Sequence, residues 1–163
     1  MKEISKWKKL LGIALTSSMI LAGMLMPTSV QASSTWEEVT ATETTADFAE
    51  DTVYSLLRGN NLNYGNVSIE KISSTEIAVY GLTQCHLACD NVYLELYLEQ
   101  KDDGSYYTYK SWSFDATDAT SLSRTISVIV PSGHYYRVRG YHAAVNGGTK
   151  ESTSTLTSGV LVN

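Results

Sequence analysis

An alternation of apolar and polar residues over positions 90–100 constrains the fold of this 163-residue chain more than any other stretch. A period of two residues places apolar side chains on one face of a β-strand and polar side chains on the other. The pattern therefore predicts a half-buried strand and carries little information about chemistry. Tyrosine and glutamate fill the polar positions, and the apolar ones are Val92, Leu94, Leu96 and Leu98.

An Asp-Asp-Gly turn at 102–104 joins this strand to a second one over 105–114. A two-residue turn fits, and so does a bulged turn with Gly104 in the left-handed conformation. Of the two, only the bulged turn places both Trp112 and Phe114 opposite the leucine face. We therefore predict the bulged turn, which pairs Val92 with Phe114 and Leu94 with Trp112.

Further alternating stretches, separated by turn-forming residues, predict strands over 67–72, 75–82, 122–130, 134–145 and 150–162. Residues 47–58 fit a short helix, and a strand over 52–57 is the rival. Strands with turns at intervals of about 8–12 residues are typical of all-β folds. We expect an antiparallel β-sandwich of six to seven strands, with room for a short N-terminal helix; a barrel is the alternative.

The first 32 residues have the composition of a secretory signal peptide. Four lysines precede an uncharged run over 10–26, and Val30 and Ala32 then offer small side chains at the positions that a signal peptidase reads. An uncleaved anchor is the rival interpretation, but the run is near the lower limit for spanning a bilayer. We expect cleavage after Ala32, secretion of the mature protein, and no membrane contact after cleavage.

The mature chain, residues 33–163, has the length of one domain. Removal of residues 1–32 leaves 8 basic and 16 acidic side chains, so the net charge changes from −5 to −8. Such a charge disfavours nucleic acid and anionic lipid as main partners. Residues 33–50 are acidic and rich in threonine, which predicts a flexible arm before a β domain over 51–163.

Cys85 and Cys89 are the only cysteines of the chain. An even number of cysteines in an exported protein favours a disulfide, which here would close a small loop before the 90–100 strand. Free thiols are one alternative. A metal site with His86 is another, but it lacks a fourth ligand and the usual spacing of zinc sites. We expect no metal and no cofactor.

No catalytic motif is evident among the titratable residues. The three histidines, His86, His134 and His142, stand outside any recognisable nucleophile motif, and we interpret them as structural. Glu95 and Glu99 share one strand face about 13–14 Å apart, which exceeds the ~5–10 Å of a glycosidase pair. We therefore expect that the protein is not an enzyme.

Tyrosine and arginine alternate along one face of the 134–145 strand. Exposed arginine and tyrosine suit binding because they offer planar donors and stacking surfaces. This stripe is the candidate site for an unknown extracellular partner, either a glycan or a protein. Internal pairing of the arginines with Glu95, Glu99 or the acidic arm is the alternative. The candidate residues are Tyr135, Arg137, Arg139 and Tyr141.

Several motifs resemble a family of small secreted proteins of Gram-positive bacteria that is described only as a domain of unknown function. The motifs are RGNNLNYGNVSI at 58–69, CDNV at 89–92, YYRVRGYH at 135–142, ESTS at 151–154 and TSG at 157–159. The resemblance spans about residues 55–160. It implies secretion and a compact β domain, and it assigns no activity and no catalytic residue.

Three hypotheses for the function follow. The leading one is a secreted, non-enzymatic β-sandwich module that binds a cell-surface or extracellular ligand. A secreted antimicrobial or toxin-like protein that acts on competing bacteria is the alternative. A hydrolase with a site built from scattered residues is the third.

Overall fold

Every regular element in the computed structural model, which describes residues 42–55 and 59–163, is a β-strand. The described residues include no helix with the length and hydropathy that crossing a membrane requires. The strands are β1 (Glu43–Thr44), β2 (Phe48–Tyr54), β3 (Leu62–Ser73), β4 (Glu76–Asp102), β5 (Ser105–Ile129), β6 (His134–Asn146), β7 (Thr149–Leu156) and β8 (Gly159–Val162).

The eight strands form one sheet in the order β1-β8-β6-β4-β3-β2, with β5 paired to β4 and β7 paired to β6. Six strands curve into a nearly closed, barrel-like sheet. Between β2 and β7, Asp51 Oδ2 accepts a hydrogen bond from the backbone N of Leu156 at 2.8 Å. The predicted all-β class is therefore confirmed, whereas the arrangement lies closer to the barrel alternative than to the sandwich.

The length of β4 explains the curvature of the sheet. This strand continues through residues 83–89, and β5 continues through 115–121, two segments that lie between the strands predicted from the sequence. The register of β4 with β5 shifts between Gln84 and Cys89, so β4 bulges without ending. A bulge bends a strand and increases its twist. The first half of β4 thus pairs with β3 and the second half with β6.

The β4–β5 hairpin closes with the two-residue turn instead of the predicted bulged turn. Asp103 and Gly104 have φ angles of 48° and 84°, and Asp102 pairs with Ser105. Positive φ at both central residues is the geometry of a type I′ turn, whose twist matches that of the flanking strands. The Asp-Gly pair therefore determines the turn.

A bulge further along the same hairpin restores the expected facing of the aromatic residues. Tyr109 has no partner in the register, and beyond it Leu94 faces Phe114 and Leu96 faces Trp112. Each aromatic residue pairs two positions further along β4 than predicted, and both pack half-buried against the core. The expected face is correct and the predicted register is wrong.

The N-terminal part of the domain is also extended. Residues 48–54 form β2, where the sequence favoured a helix, and Ala49 is buried opposite Ile69 of β3. A strand paired with the edge of β3 therefore replaces the predicted helix. Residues 56–58, at the end of the predicted helix, lie outside the described part. Because β1 and β2 begin before residue 51, the sheet includes the described end of the predicted arm. The predicted signal peptide lies outside the described residues.

The core lies inside the curved sheet and is built from the inner faces of β3, β4 and β6. The leucines of the 90–98 alternation are buried there, as predicted. The second half of β4 is thus a central strand whose polar side chains point outward, next to those of β6. The largest fully buried side chains include Tyr136, Leu62, Ile69, Ile77, Leu94, Leu96, Leu98 and His142.

Candidate ligand-binding face

The two arginines of the predicted stripe share one carboxylate. Arg137 Nε lies 2.5 Å from Glu99 Oε2, and Arg139 Nε lies 2.9 Å from Glu99 Oε1. The Arg137 guanidinium also lies 4.0 Å from the centre of the Tyr106 ring. Because Arg137 and Glu99 are buried, this ion pair is an internal contact of the sheet. The structure therefore contains the internal pairing with Glu99 that the sequence had left as an alternative.

The remaining residues of the stripe are half-exposed and separate into two groups. Tyr135 lies near the β4–β5 turn, where the Lys101 ammonium is 5.9 Å from its ring centre. Arg139 and Tyr141 lie further along β6, directly opposite Tyr97 and Glu95 of β4. Only this second group extends onto the polar face of the central strand.

Glu95 occupies the middle of this polar face and has three tyrosines as close neighbours. Tyr93 and Tyr97 flank it on β4, and Tyr141 is its cross-strand partner on β6. The Tyr97 hydroxyl donates a hydrogen bond to Glu95 Oε2 at 2.6 Å. That bond raises the pKa of Tyr97 above its ordinary value, with a further contribution from burial. Glu95 forms no salt bridge with any residue in the described ranges.

A shallow depression of about 260 Å³ opens beside Glu95 and Tyr97. Its other wall comes from residues 111–113 of β5, where two serines flank Trp112. Serine hydroxyls, a phenol and a carboxylate together offer donors and acceptors next to aromatic surface, which is the mixture found in binding sites. We refer to Tyr93, Glu95, Tyr97, Arg139 and Tyr141, with this depression, as the outer face.

Lys150 of β7 reaches onto the same surface. Its ammonium lies 5.7 Å from the ring centre of Tyr93 and 5.5 Å from that of Tyr141. Both distances are within the ~6 Å at which a cation is attracted to an aromatic ring. The outer face therefore holds a second positive group from the chain itself, in addition to Arg139.

The two cysteines are free thiols, so the predicted disulfide is absent from the structure. Both are buried, and burial raises the pKa of the Cys85 thiol to about 12, with a hydrogen bond to Cys89 adding to the rise. The disulfide between Cys85 and Cys89 stays a prediction. His86 is exposed, and no group of three or more metal-ligating side chains occurs within the described ranges.

His142 is structural, as predicted, and both ring nitrogens are hydrogen-bonded inside the core. The Thr83 hydroxyl donates to the Tyr93 carbonyl at 2.9 Å, so it accepts from His142 Nδ1 at 3.0 Å. The Thr155 hydroxyl then donates to His142 Nε2 at 2.9 Å. In this neutral tautomer both ring nitrogens and both threonine hydroxyls are hydrogen-bonded. Burial lowers the pKa of His142 to about 4.

Glu151 links two of the motifs that carried the family resemblance. Its carboxylate accepts hydrogen bonds from the backbone nitrogens of Asn60 and Asn61, each at 3.2 Å, and of Leu62 at 2.8 Å. These bonds hold the start of β3 against β7. Hydrogen bonds within the fold therefore join residues 60–62 of the first motif to Glu151 of the ESTS motif.

The geometry defines the class of this protein as an all-β, barrel-like domain with a polar, tyrosine-rich outer face. Over residues 36–160 the chain matches a family of unknown function (DUF6147), and it belongs to that family. The expectation of an uncharacterised family is therefore confirmed.

Curated proteins and solved structures provide the other comparisons with this chain. No curated protein matches it. Among solved structures it is similar to Spo0M, a sporulation control protein from Bacillus subtilis, with 14% identity and a TM-score of 0.36. The similarity covers 72% of this chain and 51% of the other, so the chain spans about half the length of that protein.

Sequence reasoning identified part of the outer face. It named Arg139 and Tyr141 as ligand-binding candidates and considered Glu95 only as a rejected catalytic carboxylate or as an arginine partner. The alternation of the central strand placed Tyr93 and Tyr97 on the same face as Glu95, a pattern that could have revealed the tyrosine cluster. Lys150 had no comparable pattern, because the predicted strand over 150–162 is polar and weakly patterned.

Proposed function

We propose that this protein is a secreted, non-enzymatic module that binds a cell-surface or extracellular ligand, a glycan or a protein, at its outer face. The hydrogen-bonded Tyr97–Glu95 pair beside an open depression is the observation that carries the proposal. These groups are half-exposed and already oriented, so binding would cost little side-chain entropy. Three tyrosines within one small area add the amphipathic contact surface that is enriched in binding sites.

Several properties of the module belong to the same proposal. The basic and apolar residues before Ala32 support export with cleavage at that point. The sequence motifs support an origin in Gram-positive bacteria. A sandwich, with the two halves of β4 in opposite layers, is a finer description that the pairing of those halves with different strands supports.

The binding test compares two double variants of the purified protein. Glu95→Gln/Tyr97→Phe removes the charge and the hydroxyl of the oriented pair while keeping its shape. Glu76→Gln/Tyr80→Phe makes the same changes on the first half of β4, away from the outer face, and is the matched control. Each protein is applied to a glycan array and to isolated Gram-positive cell walls.

We expect the outer-face variant to lose at least tenfold in binding, because two polar contacts of about 1 kcal/mol or more each are removed. The control variant should bind like the unsubstituted protein. Equal binding by both variants, with circular dichroism showing that both are folded, would exclude the outer face as the binding surface.

A further inference from the structure

We propose that the outer face contains a binding site for an ammonium group, formed by the rings of Tyr93 and Tyr141 beside the Glu95 carboxylate. Lys150 occupies this site in the structure and competes with an external ligand. The inference rests on the proposed function and deepens it, since it names the chemistry of one part of the ligand. Both primary and quaternary ammonium groups have that chemistry.

The position of Lys150 is the first observation. Lys150 is exposed at the start of β7, and its flexible side chain could extend into water. Its ammonium instead lies between two tyrosine rings, at 5.7 and 5.5 Å from their centres. The negative faces of two rings attract one cation at this point. The chain's own lysine thus shows which kind of group fits between them.

Glu95 supplies the second observation. It is the cross-strand partner of Tyr141 and stands two residues from Tyr93, so its side chain lies on the same sheet face as both rings. Tyr97 donates a hydrogen bond to this carboxylate without neutralising its charge. A cation between the rings therefore shares this face with a carboxylate, and no salt bridge joins Lys150 itself to Glu95. Two aromatic faces and one carboxylate form the typical surroundings of a bound ammonium ion.

Ala143 supplies the third observation, because it is a small apolar residue on the same sheet face as the two rings. It is the cross-strand partner of Tyr93 and is fully buried, although it stands apart from the main hydrophobic core. On β6 it stands two residues from Tyr141, so its methyl group shares the sheet face of both rings. A small apolar residue here leaves room for N-methyl groups. These groups make dispersion contacts that a hydrated inorganic cation such as sodium does not make.

The competition by Lys150 makes the site testable. A ligand that must displace an internal group binds with an affinity reduced by the fraction of empty sites. An exposed cation–π contact is weak, so removing Lys150 should strengthen ammonium binding by about two- to fivefold. Lys150→Met keeps the aliphatic stem and removes the charge.

Tetramethylammonium chloride is the probe, and NMR shifts of the tyrosine rings report its binding, with sodium chloride as the ionic-strength reference. Lys110→Met is the matched control, because the Lys110 ammonium lies 5.6 Å from the Tyr109 ring elsewhere on the molecule. Tighter binding in Lys150→Met alone, lost again in Lys150→Met/Tyr141→Leu, would support the site. Equal affinities in Lys150→Met and Lys110→Met, or ring shifts that sodium reproduces, would overturn it.

Two further arms separate the sources of the ammonium group and the two proposals. Peptides with one trimethyllysine or one unmodified lysine are titrated beside free tetramethylammonium, and the tighter binder identifies the source. Ammonium binding without any array or cell-wall ligand would leave this inference standing and refute the proposed function. Cell-wall binding that neither lysine substitution nor tetramethylammonium changes would support the proposed function and overturn the ammonium site.

Discussion

Lowering the pH from 7 to 4 should remove about 3 kcal/mol of folding free energy through His142 alone. The neutral ring is buried between two threonine hydroxyls, and its pKa is about 4 in the folded protein against 6.5 in the unfolded chain. Above pH 6.5 both states hold the ring neutral, so its stabilisation is fully present. As the pH falls from 6.5 to 4, the unfolded chain binds the proton first, and the stabilisation is lost.

Urea unfolding at pH 7, 5.5 and 4 tests this value when the protein is compared with His142→Gln. Other groups also titrate in this range, so the informative quantity is the difference in unfolding free energy between the two proteins. That difference should shrink by about 3 kcal/mol between pH 7 and pH 4. The exposed His86→Gln variant is the control and should unfold like the unsubstituted protein.

A free-energy difference between the protein and His142→Gln that does not change with pH would refute the reasoning. If the variant does not fold, an NMR titration of the His142 ring in the unsubstituted protein gives the answer directly. A ring pKa near 6.5 would then contradict the structure, because it would require the imidazole to be solvated.

Three further substitutions or treatments have expected outcomes. Gly65→Ala should destabilise the fold by about 1–3 kcal/mol, because a Cβ atom there would lie 2.2 Å from the His142 ring; thermal unfolding measures the loss, and a value near zero would contradict the packing. Glu151→Ala should cost about 3 kcal/mol in urea unfolding, since three backbone nitrogens lose their acceptor, whereas the exposed control Glu70→Ala should cost little. Mild oxidation should join Cys85 to Cys89 within one molecule, seen by mass spectrometry as the loss of two hydrogens; persistence of two alkylatable thiols would refute the disulfide.

The central strand shows how much of the fold the sequence could predict. Its alternation placed the leucines in the core and the tyrosines and glutamates outside, because a period of two is a local property of one strand. The continuation of the same strand through 83–89 could not be predicted, since the alternation fails at the bulge. A bulge depends on pairing with β5, which is distant in the sequence.

The candidate site shows the same limit. The alternation of β6 placed Arg137 and Tyr141 on one face, and this is correct. It could not show that Arg137 is buried under the Tyr106 ring and paired with Glu99, because those residues come from β5 and β4. Nor could it bring Lys150 to Tyr93, since that contact needs the register of β7 on β6. Pairwise contacts between strands, rather than patterns within them, determine the site.

Hydroxyl-radical footprinting tests the central claim, that the outer face is the binding surface, most directly. The protein is oxidised alone and in the presence of isolated Gram-positive cell walls, and the modified tyrosines are located by mass spectrometry. We expect protection of Tyr93, Tyr97 and Tyr141, with unchanged oxidation of the exposed Tyr54 and Tyr107. Protection of Tyr54 or Tyr107 with no change at the outer face would contradict the proposal.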